Sequence, residues 1–235
     1  MEIEIWSDVV CPWCYVGKRN FEAALARFEH RDEVTVRWRS FELNPGAPAE
    51  VQGRYIDRLS RKYGVEVAQA QAMVDRITSV GAGAGLDFRF DSSRPGSTFD
   101  AHRLLHLAHD RGVQGELKER LFAAMFTEGE PIGDRDTLVR LATEVGLDAD
   151  EARAVLDGDA YAGDVRADQA EARELDVTGV PFFVVDRTVA LSGAQPPDLL
   201  LRVLDRARAD RAAARPVVVT GDDPAPGCDD DTCAV

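Results

Sequence analysis

The stretch Ser7-Asp8-Val9-Val10-Cys11-Pro12-Trp13-Cys14-Tyr15-Val16-Gly17-Lys18 decides the fold of this chain. It follows an alternating polar and apolar segment, Glu2 to Trp6, which is typical of a β-strand. After it, apolar residues recur at helical spacing, at Phe21, Ala24, Leu25 and Phe28. The two cysteines therefore lie where a strand ends and a helix begins.

This junction predicts redox chemistry. Pro12 suits the first helical turn, where its missing N–H needs no partner, so Cys11 is the predicted N-cap. The free N–H groups and the positive end of the helix dipole stabilise a thiolate there, and the thiolate is the reactive form. Cys14 lies about one turn away and is the predicted resolving thiol, with Cys11 as the attacking one. Pro12 and Trp13, between the cysteines, are expected to set the redox potential.

A zinc knuckle is the alternative interpretation of the same motif. Cys228 and Cys233 would complete a four-thiolate site. Zinc knuckles usually lie in tight turns between short strands, whereas this motif opens a long amphipathic helix. The context favours a redox site, and alkylation with and without a chelator separates the two.

The Cys11 to Lys18 run resembles the DsbA-like thioredoxin-fold oxidoreductases, specifically the FrnE branch. Near relatives of that branch are the 2-hydroxychromene-2-carboxylate isomerases and the kappa-class glutathione transferases. Three further segments are similar to family motifs: Ser97 to Arg103, which opens a helix of the inserted domain; Val177 to Val184, which carries a cis-proline; and the C-terminal Cys228-x4-Cys233 pair. The resemblance spans nearly the whole chain.

The resemblance implies roles for residues outside the CxxC motif. Pro181 would be the cis-proline that faces the cysteines, and the backbone of Val180 would pair with a substrate strand. His102 would reach the active-site cleft, which the inserted domain caps in the family. Cys228 and Cys233 would form an auxiliary redox pair.

Asp8 and three histidines remain ambiguous in the sequence. The Asp8 carboxylate, three residues before Cys11, could move a proton during disulfide exchange, or it could simply favour a turn. His102, His106 and His109 share one helical face. Because no carboxylate motif accompanies them, structural or solvated roles are favoured for these histidines, and no metal site is predicted.

The order of elements predicts an α/β, thioredoxin-like fold with an inserted all-helical subdomain. A second strand is expected at 34–41, a short extended stretch at 86–90, and a hairpin and final helix after Pro181. Residues 1–48 and 160–213 are expected to form the thioredoxin-like domain and 49–159 the helical insertion. The acidic, proline-rich residues 214–235 are expected to be a flexible C-terminal tail.

Charge and composition limit the function. The formal net charge of −14 argues against nucleic acid and anionic membranes as partners. Apolar runs are too short to span a membrane, and the acidic start differs from a secretory signal, so a cytoplasmic location is expected. Cytoplasmic thiols are kept reduced, which favours a catalytic over a structural CxxC.

The predicted function is a cytoplasmic thiol–disulfide oxidoreductase acting on protein or small-molecule substrates. No cofactor is expected beyond the redox-active disulfide, and glutathione is a candidate co-substrate. The alternative is a glutathione-dependent isomerase or transferase of the 2-hydroxychromene-2-carboxylate isomerase or kappa type. Those relatives typically carry serine at the Cys11 position, so the cysteine pair favours redox chemistry. The substrate, the direction of electron flow and the oligomeric state stay open, with a homodimer among the alternatives.

Overall fold

The computed structural model describes residues 1–213, in which four strands form one mixed sheet in the order β2-β1-β3-β4. The strands are β1 (Glu2–Ser7), β2 (Thr35–Ser40), β3 (Phe182–Val185) and β4 (Val189–Ser192). β1 pairs parallel with β2 and antiparallel with β3, which pairs antiparallel with β4. Helix α1 (Pro12–Arg27) connects the two parallel strands. The α/β, thioredoxin-like fold is therefore confirmed.

Alternating side chains of β1 face two different helical layers. Ile3 and Ile5 are fully buried with residues of α1 and of the final helix α9 (Pro197–Ala213). Trp6 instead joins a core that includes Ala172 of helix α8 (Ala162–Glu174). The period-two pattern in the sequence thus places helices on both faces of the sheet.

The segment between β2 and α8 is helical. It contains α2 (Tyr55–Tyr63), α3 (Val67–Gly83), α4 (Phe99–Asp110), α5 (Gln114–Ala123), α6 (Arg135–Glu144) and α7 (Ala149–Asp157). The largest apolar cluster joins side chains of these helices to Cys14 and Val16 of α1. The start of α1 therefore shares a core with the inserted helices, so the insert is positioned directly over the CxxC motif.

Some segments of the insertion are not α-helical. The stretch at 86–90 pairs in no strand; Leu86, Phe88 and Phe90 are buried there, and the segment ends in a 3₁₀ turn. After Ala123 the chain makes a single π-helical turn at Ala124–Glu128. The proposed domain boundaries stay a prediction, and Cys228 and Cys233 lie outside the described residues. Within residues 1–213, no helix is long and apolar enough to cross a membrane.

Candidate active site

The first turn of α1 holds both cysteines. Cys11 is the N-cap and Pro12 the first helical residue, as predicted. The Cys11 carbonyl accepts a hydrogen bond of 3.0 Å from the Cys14 amide, which closes the turn. Both side chains are free thiols; Cys11 is 5% exposed and Cys14 is 0% exposed. Cys11 is therefore the thiol that another molecule can reach, and Cys14 lies behind it.

The Pro181 segment packs against this turn. The Val180–Pro181 peptide bond is cis, as predicted. The Cys11 thiol donates to the Val180 carbonyl oxygen at 3.5 Å. A Cβ atom on Gly17 would lie 2.8 Å from Pro181 Cγ, which is closer than packed carbon atoms approach. Glycine at position 17 therefore permits the close contact between α1 and the proline.

Burial dominates the chemistry of Cys14. It raises the pKa of the Cys14 thiol well above its ordinary value, and the hydrogen bond and charge of Cys11 act in the same direction. The Ser7 hydroxyl and the Lys118 ammonium oppose this rise. Cys14 is therefore held as a thiol, and its proton needs a nearby acceptor when the sulfur reacts.

Lys118, on α5, brings a buried amine to this site. Its Nζ donates to the Ser7 carbonyl oxygen at 3.3 Å and lies 5.2 Å from the centre of the Phe122 ring. Burial lowers the pKa of Lys118 to about 8, although the charges of Cys14 and Asp8 favour its ammonium form. The inserted domain thus supplies a titratable group behind the CxxC motif.

Lys118 was not singled out from the sequence. The available signal was its position: it lies next to Leu117 and one turn before Leu121 and Phe122, all of them fully or almost fully buried. A lysine on the apolar face of a helix is either paired or functional.

Asp8 and His102 form a buried pair beside these groups. Asp8 is 0% exposed, and its Oδ2 accepts a 2.7 Å hydrogen bond from the Leu43 amide. His102 Nε2 lies 3.5 Å from Asp8 Oδ1. Burial alone would raise the pKa of Asp8, but His102, the Leu43 amide and the charge of Lys118 together lower it. Asp8 is therefore an anion behind the CxxC motif at neutral pH.

The expectation that His102 reaches the cleft needs correction. The His102 side chain is 1% exposed and is not part of the cleft lining. Helix α4 turns this side chain towards the buried Asp8 carboxylate, so His102 contacts the site from behind. The sequence could not show this pairing because 94 residues separate the two positions.

His106 belongs to a second buried ionic cluster. Its Nε2 lies 3.1 Å from both Ser40 Oγ and Asp168 Oδ2, and Asp168 Oδ1 accepts a 2.7 Å bond from Arg39. Burial would raise the pKa of Asp168, but His106, the Ser40 amide and Arg39 lower it. These contacts tie β2 to α4 and α8. None of the four residues lines the cleft, so the cluster supports the fold.

Cys11 opens into a cleft of about 680 Å³ between the start of α1 and helices α2 and α3. Its apolar lining includes Val10, Leu43, Val51, Leu59, Met73, Ile77 and Met125. Trp13 and Tyr63, 37% and 55% exposed, continue this apolar surface outward. Two α3 side chains in this lining differ in exposure: Ile77 is buried, whereas Met73 is 38% exposed. Across the described part of the chain, no group of three or more metal-ligating side chains is arranged to hold an ion.

Comparison with known proteins identifies the family. Residues 2–205 match the family model of the DSBA-like thioredoxin domain, and the chain belongs to this family. It is 31% identical over 206 residues to the uncharacterized protein YwbO of Bacillus subtilis (strain 168), covering 87% of this chain and 96% of YwbO.

Solved structures share the fold. The probable DsbA oxidoreductase SCO1869 of Streptomyces coelicolor is 46% identical, with a TM-score of 0.86, over 100% of this chain and 99% of that one. The cytosolic disulfide reductase DsbM of Pseudomonas aeruginosa is 18% identical, with a TM-score of 0.63, over 89% of this chain and 100% of that one. At that identity DsbM shows a common fold alone.

Proposed function

We propose that this chain is a thiol–disulfide oxidoreductase of protein or small-molecule substrates, with Cys11 as nucleophile and Cys14 as resolving thiol. The observation that carries the proposal is the difference between the two sulfurs at the start of α1. Cys11 lines an open cleft, while Cys14 is fully buried one turn behind it. One thiol can meet a substrate, and the other can react only with the first.

The reaction then has two steps. The Cys11 thiolate attacks one sulfur of the substrate disulfide, forming a mixed disulfide and releasing the other substrate sulfur, which takes up a proton. Cys14 then loses its proton and attacks the Cys11 sulfur, so that the Cys11–Cys14 disulfide forms and the second substrate thiol leaves. Two electrons pass from the protein dithiol to the substrate. Run in reverse, the same steps oxidise a substrate dithiol.

Lys118 is the proposed proton acceptor for Cys14. A base works best when its pKa lies near the working pH, and that of Lys118 is about 8. At pH 7 most of Lys118 is ammonium, and the smaller neutral fraction is the form that accepts the Cys14 proton. Asp8, whose pKa is lowered, is a weak base at neutral pH. We therefore assign Asp8 an electrostatic role, in which its negative charge supports the protonated Lys118 during the second step, and His102 positions Asp8.

Two parts of the proposal concern substrate handling. The Val180 backbone, which faces Cys11, would pair with an extended substrate next to the reacting sulfur. The tail cysteines, Cys228 and Cys233, would exchange electrons with the Cys11–Cys14 pair as an auxiliary dithiol.

Glutathione is the proposed co-substrate that regenerates the dithiol, since two glutathione thiols would reduce the Cys11–Cys14 disulfide and leave as glutathione disulfide. DsbM has been solved with GSH. We also propose a cytoplasmic location, and thiol labelling of fractionated cells would test it.

Reduction of insulin by dithiothreitol tests the proposed function. The wild type should accelerate the reaction, and both Cys11→Ser and Cys14→Ser should abolish the acceleration. A glutathione-dependent isomerase would instead need glutathione and would keep its activity in Cys14→Ser, because its chemistry uses one thiol position. Zinc bound in proportion to protein, with loss of structure on chelation, would instead support the zinc-knuckle interpretation of the motif.

A further inference from the structure

The mouth of the cleft carries three cationic side chains that form no salt bridge with any of residues 1–213. Arg58, Arg61 and Lys62 occupy positions i, i+3 and i+4 of α2, and all three line the cleft. Among residues 1–213, no carboxylate lies within salt-bridge distance of any of them, whereas Arg54, at the start of the same helix, pairs with Asp57 at 2.8 Å. The chain as a whole is strongly acidic, so these cations form a local site of opposite sign.

Arg58 has a donor that the described residues do not satisfy. Its Nη1 donates to the Gly53 carbonyl oxygen, and its guanidinium carbon lies 5.5 Å from the centre of the Tyr55 ring. Its Nη2 is buried and has no hydrogen-bond partner in the described part of the chain. A charged donor left unpaired is unfavourable, so an acceptor from a bound molecule, such as a carboxylate, would stabilise this arrangement.

The cleft lining indicates the rest of the ligand. Apolar side chains line the cleft beside Cys11, and the surface continues through the exposed rings of Trp13 and Tyr63. An exposed apolar surface with a polar rim is typical of a site that binds other proteins. A site open in this way suits an extended polypeptide.

We propose that the cleft selects substrate polypeptides whose reacting cysteine lies in an apolar segment flanked by acidic residues, with carboxylates bound by Arg58, Arg61 and Lys62. The spacing is suitable: one helical turn is about 5.4 Å, and alternate side chains of an extended peptide lie about 6.6 Å apart. This substrate class rests on the proposed thiol–disulfide function and deepens it.

Two matched peptides test this selection. Both carry the same apolar residues and one cysteine blocked as a mixed disulfide with 2-thiopyridine, flanked by aspartates in one and by lysines in the other. Attack by Cys11 on the peptide sulfur releases thiopyridone, whose absorbance gives the rate constant. The wild type should react with the aspartate peptide at least tenfold faster, a modest effect for electrostatic guidance into a cleft.

Charge variants then locate the effect. The triple variant Arg58→Gln, Arg61→Gln, Lys62→Gln should lose the preference, and Arg61→Gln alone, at an exposed position, should reduce it. Arg76→Gln is the matched control, because Arg76 is exposed on α3, has no salt bridge within residues 1–213 and does not line the cleft. It should keep the full preference. At 1 M salt, where the screening length is about 3 Å, the wild-type preference should nearly disappear.

Other outcomes overturn the substrate class. Equal wild-type rates for the two peptides would refute it, as would an equal loss of preference in Arg61→Gln and Arg76→Gln. Glutathione disulfide, an anion, can also be compared with neutral bis(2-hydroxyethyl) disulfide. If the ratio of these two rate constants equals the ratio for the two peptides, the cations of α2 attract any anion and do not select polypeptides. The two peptides also separate the two proposals: if the wild type releases thiopyridone from neither peptide, the oxidoreductase function itself fails.

Discussion

Replacing Lys118 with methionine tests the buried amine behind Cys14. Burial lowers the pKa of Lys118 from 10.5 to about 8, so at pH 7 the folded protein holds this ammonium at a cost in free energy. At about 1.36 kcal/mol for each pKa unit, that cost is about 3 kcal/mol. Methionine has a similar length and no charge but loses the 3.3 Å bond to the Ser7 carbonyl, about 1 kcal/mol. We therefore expect Lys118→Met to raise the free energy of unfolding at pH 7 by about 2 kcal/mol.

The sign of the pH dependence follows from the direction of the shift. Because the folded-state pKa is the lower one, between pH 8 and 10.5 the unfolded chain binds a proton that the folded protein does not. The stability of the wild type should therefore rise through this window relative to Lys118→Met, and the advantage of the variant should vanish.

Urea unfolding of the reduced proteins at pH 7 and at pH 10 measures both effects. Lys18→Met is a matched control, because Lys18 is also buried but binds Glu119 at 2.6 Å, so its removal should destabilise the protein. In single-turnover reactions, Lys118→Met should slow attack by Cys14 by at least tenfold and leave attack by Cys11 little changed. A variant that is less stable than the wild type at pH 7, or that resolves mixed disulfides at the normal rate, would refute the role of Lys118.

Three further predictions concern the support of the site and the tail. Gly17→Ala should lower the free energy of unfolding by about 1 to 3 kcal/mol in urea titrations, because its Cβ would lie 2.8 Å from a proline carbon, whereas Gly115→Ala, with no neighbour within 4 Å, should be neutral or slightly stabilising. Asp168→Asn should cost about 3 kcal/mol near pH 7. Since the pKa of Asp168 is lowered, its contribution to the free energy of unfolding is present above the ordinary pKa of 3.8 and is lost as the pH falls below it. The free energy of unfolding should therefore fall less steeply with acidification in the variant than in the wild type. After mild oxidation of Cys14→Ser, mass spectrometry should find a disulfide between Cys11 and a tail cysteine; its absence, with full activity in a chain without the tail, would exclude the tail from the chemistry.

Local patterns were sufficient for the fold and for the reactive turn. The alternation in β1, the position of Pro12 and the spacing of apolar residues each depend on neighbours in the chain, so the strand, the N-cap and α1 were predictable. The cis peptide bond before Pro181 was predictable only from the family resemblance, because no local sequence signal is strong enough to establish a cis bond.

Contacts between distant segments account for what was missed. The expectation for His102 failed because its partner Asp8 lies far away in the chain, in the loop after β1, and the direction of a helical side chain depends on how helices pack. Lys118 and the three cations of α2 come close to Cys11 and Cys14 only when the inserted helices fold over the CxxC motif, so their roles were not visible in the sequence.

A redox titration of the full chain tests the central claim most directly. The protein is equilibrated in glutathione buffers of graded ratio, free thiols are alkylated, and the disulfides are mapped by mass spectrometry. We predict that Cys11 and Cys14 convert together from dithiol to disulfide in one two-electron transition. The ratio of dithiol to disulfide should change tenfold for each change of about 30 mV in the buffer potential. If Cys11 and Cys14 form no mutual disulfide at any ratio, and each is instead found free or bound to glutathione alone, the claim that this pair is the redox centre is wrong.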